Sequence, residues 1–343
     1  MMKHTMTLTT ALLTGVMTAA LPAVAAANPM SFAMGAMPAP PMGAGPGKIT
    51  VLPLRHARKL YTVKFARAGT PAGNSFYIAE AGDKAYVPSV AGYTSVINIH
   101  TRKRLERFKT IPGGRVAKLS KDQQRLFVLS GKQLAAYSAT DGTKRYDVNV
   151  GGNAMVFNRD GSRIYVGGNM DNSIAEINTA TGLILRHIPV GHSGDLAWAN
   201  GYLFSADMKN GVMTAFNPLT DKTYTMATPE ADPHFSYHMI MMAKAGFMQL
   251  AVSPDQKYVY AAGFSGHILR FSTHHPAYLG EVKISANKHG ANKLSGLAVL
   301  DNGKRAISTV ENRHETVIVN LNNGHIVKRL PHVASNRWIV TAS

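Results

Sequence analysis

The sequence predicts an all-β fold in which short four-stranded sheets repeat radially about an axis. Three observations carry this. A tight-turn motif recurs at intervals near forty residues, a second turn type falls between its copies, and alanine recurs in the strand ahead of the first turn. The first motif is an apolar segment, then Asp or Asn with Gly or Gln, then a basic residue and a β-rich run. It appears as Ala81–Val87, Ser120–Val128, Asn158–Val166, Ala199–Phe204, Ser253–Tyr260 and Asp301–Ile307. Its markers Asp83, Asp122, Asp160, Asn200, Asp255 and Asp301 are spaced 39, 38, 40, 55 and 46 residues apart. Asp-Gly and Asn-Gly suit tight hairpins because such turns need positive φ.

The second turn is clearest at Asn178-Thr-Ala-Thr-Gly182. Weaker copies are Ser138–Gly142, Asn217–Asp221 and Asn320–Gly324. Each follows a short alternating strand, such as Ser173–Ile177 or Thr316–Asn320, and precedes another, such as Leu183–Ile188. One repeat therefore holds four strands, which is a blade of a β-propeller. Ala117, Ala197, Ala251 and Ala298 occupy nearly the same point ahead of the first turn. Crowding of innermost strands at a propeller axis favours small side chains there.

Six markers predict six blades. Residues 48–66 add two strand-like runs, Lys48–Leu54 and Lys59–Ala66, and the chain ends with Arg337–Thr341. Together these predict a seventh blade, so the expected fold is a seven-bladed β-propeller with the last blade closed by both termini. Such closure leaves no open sheet edge. A six-bladed ring with loose ends is the alternative.

The 343 residues include 37 Lys+Arg, 19 Asp+Glu, 31 Gly, 17 Pro and no Cys, with a formal net charge of +18. A hydrophobic content of 45% supports a sizeable core. The missing cysteine excludes disulfides, thiolate metal sites, CxxCH haem attachment, cysteine nucleophiles and an acylated lipoprotein anchor.

Residues 1–27 read as a signal peptide. Lys3 and His4 precede an apolar run from Leu8 to Val24, and Ala25 and Ala27 supply a small-residue cleavage site. Gly15 and Pro22 interrupt the run, which argues against an uncleaved anchor. No other stretch is long and apolar enough to span a bilayer, so no transmembrane segment is expected in the mature chain. The expected address is periplasmic, where a cysteine-free chain has no thiols to oxidise. Residues 28–47 read as a Met/Pro/Gly-rich linker without regular structure, and residues 48–343 as the propeller domain. Met30, Met34, Met37 and Met42 in the linker are soft ligands suited to Cu(I); the plain alternative is an inert tail.

The copy at residues 164–191, IYVGGNMDNSIAEINTATGLILRHIPVG, resembles the YVTN-type β-propeller repeat. This bacterial group includes propellers like the beta chain of quinoprotein amine dehydrogenase. The match is partial at 116–151 and 249–284, and weaker elsewhere across roughly 75–333. The resemblance implies a seven-bladed propeller of an exported protein. It does not imply an activity, since relatives of this shape serve as binding proteins, surface proteins and enzyme subunits.

Blade order sorts the loops onto two faces. Inter-blade links and the middle turn of each blade share the top; the two tight-turn types share the bottom. His192, His234, His238, His289 and His332 fall in links, and His314 in a middle turn. Converging imidazoles suit Zn(II) or Cu(II). The expected metal ligands are His192, His234, His238 and His289; an organic ligand or protein at the mouth, or purely structural histidines, are the alternatives. The longest link, 226–248, carries His234 and His238 with Met239, Met241, Met242 and Met248. Long loops at such a mouth are more often functional than decorative.

Charge is uneven. Residues 48–150 hold 19 Lys+Arg against 6 Asp+Glu, and residues 151–343 hold 17 against 13. The run Arg102–Lys109, with Lys121, Arg125, Lys144 and Arg145, places a basic surface on the bottom turns. An acidic envelope protein or a redox partner protein is the expected macromolecular partner, and a small ligand or metal the partner of the mouth. Nucleic acid is disfavoured in an exported chain, and a solvated basic face is the plain alternative.

No GxSxG elbow, P-loop or dinucleotide fingerprint occurs in a suitable context. With only Trp198 and Trp338, tryptophan-docked quinoprotein blades and an intrinsic quinone site are not expected. The function expected is an exported binding or scaffold propeller that captures zinc or copper at its top mouth, similar in role to zinc-chaperone propellers. Catalysis is not expected. The alternative is a non-catalytic propeller subunit of a periplasmic dehydrogenase, as in amine dehydrogenases. A hydrolase or lactonase would need carboxylate ligands on top loops, for which Asp171, Asp195 and Asp207 are the candidates.

Overall fold

A computed structural model describes residues 78–168, 172–232, 234, 245–284, 293–300, 303–313 and 315–331 with their side chains. It also describes the backbone of Ser31–Gly35, Lys48–Pro53, Tyr61–Lys64 and Trp338–Thr341. The chain is an all-β propeller. Among the described residues, six four-stranded antiparallel sheets follow one another along the chain. Their strands run Ala79–Ala81, Lys84–Ser89, Tyr93–Asn98 and Lys103–Lys109 in blade 1, then Val116–Leu119, Arg125–Leu129, Leu134–Ser138 and Lys144–Val148 in blade 2. Blade 3 is Ala154–Phe157, Arg163–Gly167, Ser173–Asn178 and Ile184–Pro189; blade 4 is Leu196–Ala199, Tyr202–Asp207, Val212–Asn217 and Lys222–Ala227. Blade 5 is Phe247–Val252, Tyr258–Gly263, His267–Ser272 and Ala277–Lys283; blade 6 is Leu294–Leu300, Arg305–Val310, Glu315–Asn320 and Ile326–Pro331. Six blades are thus described in full, one fewer than the seven expected. Among the described residues no helix is long and apolar enough to cross a membrane.

The termini meet in a further sheet of order Trp338–Thr341, Ser31–Gly35, Lys48–Pro53, Tyr61–Lys64. Ala33 pairs with Val51 on one side and with Val340 on the other. Ser31–Gly35 departs from the linker expected over 28–47. The prolines that forbid a ladder stand at Pro29 and from Pro38 onward, and Phe32-Ala33-Met34 between them is free to extend. It finds two waiting edges, one from each end of the chain.

Each blade buries both faces against its neighbours. Val116, Phe127 and Leu129 of blade 2 share a cluster with Met155, Ile164 and Val166 of blade 3. Blades 3 and 4 meet at Tyr165 and Trp198, whose rings stack 5.6 Å apart at 8°. Phe204 and Met213 meet Val259 and Phe271 between blades 4 and 5. The inner-strand alanines face large partners one strand out. Ala79 pairs with Tyr86, Ala197 with Phe204 and Ala251 with Tyr260. Small residues near the axis and large ones beside them give these three sheets a wedge section.

The turns hold this wedge together. In the first turn type, Asp122, Asp160 and Asp255 accept N–H bonds from Gln124, Ser162 and Lys257, with positive φ at Gln123, Gly161 and Gln256. In the second, Asn178 Oδ1 accepts from the N–H groups of Ala180 and Thr181, and Asn217 Oδ1 from those of Leu219 and Thr220. The turn then ends at a positive-φ residue that presses on the outer strand of the previous blade. A Cβ on Gly142 would lie 2.5 Å from the Phe108 ring, and one on Gly182 2.6 Å from the Tyr146 ring. At blade 4 this glycine is replaced by Asp221, which pairs with Arg186 of blade 3 at 2.5 Å.

Gly182→Ala therefore meets both a φ of +76° and the Tyr146 ring, whereas Gly201→Ala at φ +82° meets open space. Thermal unfolding is expected to register a loss on the order of 2–3 kcal/mol for the first and about 1 kcal/mol for the second. Equal losses would mean that the turn does not bear on the neighbouring blade.

Candidate functional site

The top face is built by links crossing over middle turns. These crossings are close enough to require glycine. A Cβ on Gly152 would meet the Gly167 carbonyl oxygen at 2.1 Å, and one on Gly194 the Ala206 carbonyl oxygen at 2.8 Å. Around the tunnel, side chains tie successive inner strands. Asp195 Oδ2 accepts the Leu250 N–H at 2.8 Å, and Gln249 Oε1 accepts the Leu297 N–H at 2.8 Å. Lys118, on the inner strand of blade 2, feels the Asp195 charge. Burial pushes its ammonium below the usual lysine range, and Asp195 pulls it back up.

Of the four expected metal ligands, two are described. His192 lies in the link between blades 3 and 4, half-buried, with Nδ1 3.1 Å from Asn172 Oδ1. Its backbone N–H reaches Asp207 Oδ2 at 3.3 Å. His234 is exposed in the link after blade 4, and its N–H donates to Asp232 Oδ1 at 3.0 Å. His238, His289, His314, His332 and Asp171 lie outside the described residues. Among the described residues no group of three or more His, Asp or Glu side chains comes together as a metal site. Asp195 and Asp207 are both engaged in holding backbone: Asp207 also accepts the N–H groups of Lys209 and Asn210.

A second feature of this face escaped the sequence reading. Glu230, at the start of the long link, is fully buried. Its carboxylate accepts the N–H of Gly246, at the far end of the same link, at 3.0 Å. It also accepts the N–H of Ser265 at 3.3 Å and the Ser265 hydroxyl. Ser265 Oγ lies 2.8 Å from His267 Nδ1, which is 3.5 Å from Glu281 Oε1. Gly263 makes room for this arrangement, since a Cβ there would lie 2.4 Å from Glu230 Oε1. The two described ends of the link, at Glu230 and Gly246, are therefore held together by one carboxylate. Glu230 stands in the polar, proline-flanked run Pro229–Pro233, which reads as solvated loop; nothing local marks it as buried.

Neither a family model nor a curated protein matches the sequence. Solved structures do match, in fold. A chain of Kuenenia stuttgartiensis hydrazine synthase is 12% identical with a TM-score of 0.65, covering 80% of this chain and 91% of that one. U3-55K and the WD40 repeats of RRP9 are each 10% identical with TM-scores of 0.62, covering 78% of this chain and 86% and 84% of theirs. At these identities the likeness is one of β-propeller architecture.

Burial of Glu230 raises its pKa above the ordinary carboxyl value, against the lowering effect of its hydrogen bonds to Ser265 and Gly246. Between those two values the folded chain keeps a proton that the unfolded chain has lost. Its contribution is full below the ordinary pKa and is lost as pH rises through the raised one. Glu230→Gln is expected to flatten stability against pH across that window. Glu230→Ala leaves buried N–H groups without an acceptor, a cost of about 2–3 kcal/mol, and should open residues 231–245 to limited proteolysis. An unchanged cleavage pattern in Glu230→Ala would show that the carboxylate does not clasp the link.

Proposed function

We propose that this chain is an exported, periplasmic binding or scaffold propeller whose top mouth holds a ligand. The observation that carries the reading is the buried Glu230 clasp. A buried carboxylate that gathers both described ends of a long link fixes the base of that link at the mouth. The reading is further supported by the signal-like residues 1–27 and by the YVTN-like run at 164–191. The proposal includes the terminal sheet as a seventh blade that closes the ring, since Trp338–Thr341 lies against the inner strand of blade 6.

Zinc or copper captured by His192, His234, His238 and His289 is the most specific form of this reading. The described histidines fit it in part: His192 has a ring nitrogen not used by Asn172, and His234 is exposed. A non-catalytic subunit of a periplasmic dehydrogenase is the same reading with a redox partner supplied.

Elemental analysis after dialysis against zinc or copper tests the metal form. Stoichiometric metal is expected, with loss in the His234→Ala, His238→Ala double variant. Protein that takes up neither ion at micromolar concentration would remove the metal and leave an organic or protein ligand for the mouth.

A further inference from the structure

The bottom face carries a second site, visible when blades 2 and 3 are superposed by their registers. In blade 3, Tyr165, Glu176 and Arg186 lie side by side across three strands. Glu176 is buried and neutralises two guanidinium groups, with Arg186 Nε at 2.6 Å and Arg163 Nε at 3.6 Å. In blade 2 the same row is Phe127, Ala136 and Tyr146. Arg125 occupies the position of Arg163, but alanine stands where the carboxylate would be.

The consequence is a polar crevice between blades 2 and 3 of about 410 Å³, lined by Gln124, Arg125, Ser138, Thr140, Arg145 and Tyr146. Arg125 spends one N–H on the Thr179 carbonyl at 2.6 Å, a bond that the Tyr146 hydroxyl also makes at 2.6 Å. These bonds hold the floor of the crevice. Among the described residues no carboxylate lies within ion-pair distance of Arg125 or Arg145. The nearby turn carboxylates are already held. Asp122 accepts from Ser120 Oγ and the Gln124 N–H, and Asp141 from the Thr143 N–H.

We propose that this crevice receives a carboxylate side chain from an acidic polypeptide, which supplies from outside the charge that Glu176 supplies within blade 3. Guanidinium groups match carboxylates through paired N–H donors, and two of them on one crevice make a specific receptor. The basic excess of the surrounding blades steers such a partner toward it. Asp122, Asp141 and Asp160 sit among the basic residues of this face. They repel an unbroken phosphate backbone or a charged bilayer, but leave room for a chain whose carboxylates are spaced. The proposal rests on the reading of the chain as a binding scaffold. It uses the face opposite the mouth, so failure of metal uptake leaves it standing.

The test is titration of the full chain with a (Glu-Gly-Ser)n peptide, whose carboxylates are spaced, followed by calorimetry at low and moderate salt. Binding that weakens with salt is expected. Arg145→Ala, at an exposed position with no hydrogen bond to lose, should weaken it about tenfold without changing thermal unfolding. Lys257→Ala, in an exposed turn of blade 5, should leave it unchanged. Equal weakening in both variants would reduce the effect to general charge and overturn the site. So would absence of binding, or preference for poly-L-glutamate, a poly-dT oligonucleotide or phosphatidylglycerol vesicles over the spaced peptide.

Discussion

The fold depends on one constraint: a four-stranded sheet with two apolar faces can be buried only between two others like it. Blades 1, 4 and 5 meet that constraint with the same materials. Alanine near the axis opposite an aromatic ring thins the inner edge of the sheet. In blades 2, 3 and 6 a turn that ends in positive φ lets the blade lean on the outer strand of the one before. Where glycine is missing from that turn, at Asp221, an ion pair with Arg186 takes over the contact. The same geometry sorts the loops onto two faces, and both candidate sites follow from it.

The two faces do different chemistry. On top, links cross middle turns at backbone distance, and the groups there are mostly engaged in holding backbone: Asp195 on Leu250, Gln249 on Leu297, Glu230 on Gly246. On the bottom, charged side chains decide the character of each blade boundary. Glu176 closes Arg163 and Arg186 internally in blade 3; in blade 2 the equivalent positions hold Ala136 and Tyr146, and Arg125 has no such carboxylate beside it.

Much of the fold was legible because turn chemistry is local. Asp-Gly, Asn-Gly and Asn-x-x-x-Gly carry their positive φ in their own composition, and their spacing gave the strands between them. Gln123 and Gln256 take the same backbone conformation without glycine, and their turns were placed by spacing and by the Asp ahead of each. Ser31–Gly35 was unreadable for a different reason. A short run between prolines becomes a strand only when edges from both ends of the chain arrive beside it. The sites were less legible than the fold. The basic bottom turns could be located from spacing, but the crevice among them depends on which strand residue faces which, and so on register. Glu230 depends on Gly263 and Ser265, residues brought to it from another blade.

The proposed seventh blade would close the ring where the termini meet. The absence of native cysteine allows closure to be tested by one engineered pair, Ala33→Cys with Val340→Cys, at positions that face each other across the terminal sheet. Directly paired antiparallel residues lie within disulfide reach. Oxidation is predicted to consume both thiols within one chain and to raise the unfolding temperature. Two thiols that stay titratable in the folded, oxidised protein would contradict the closed ring.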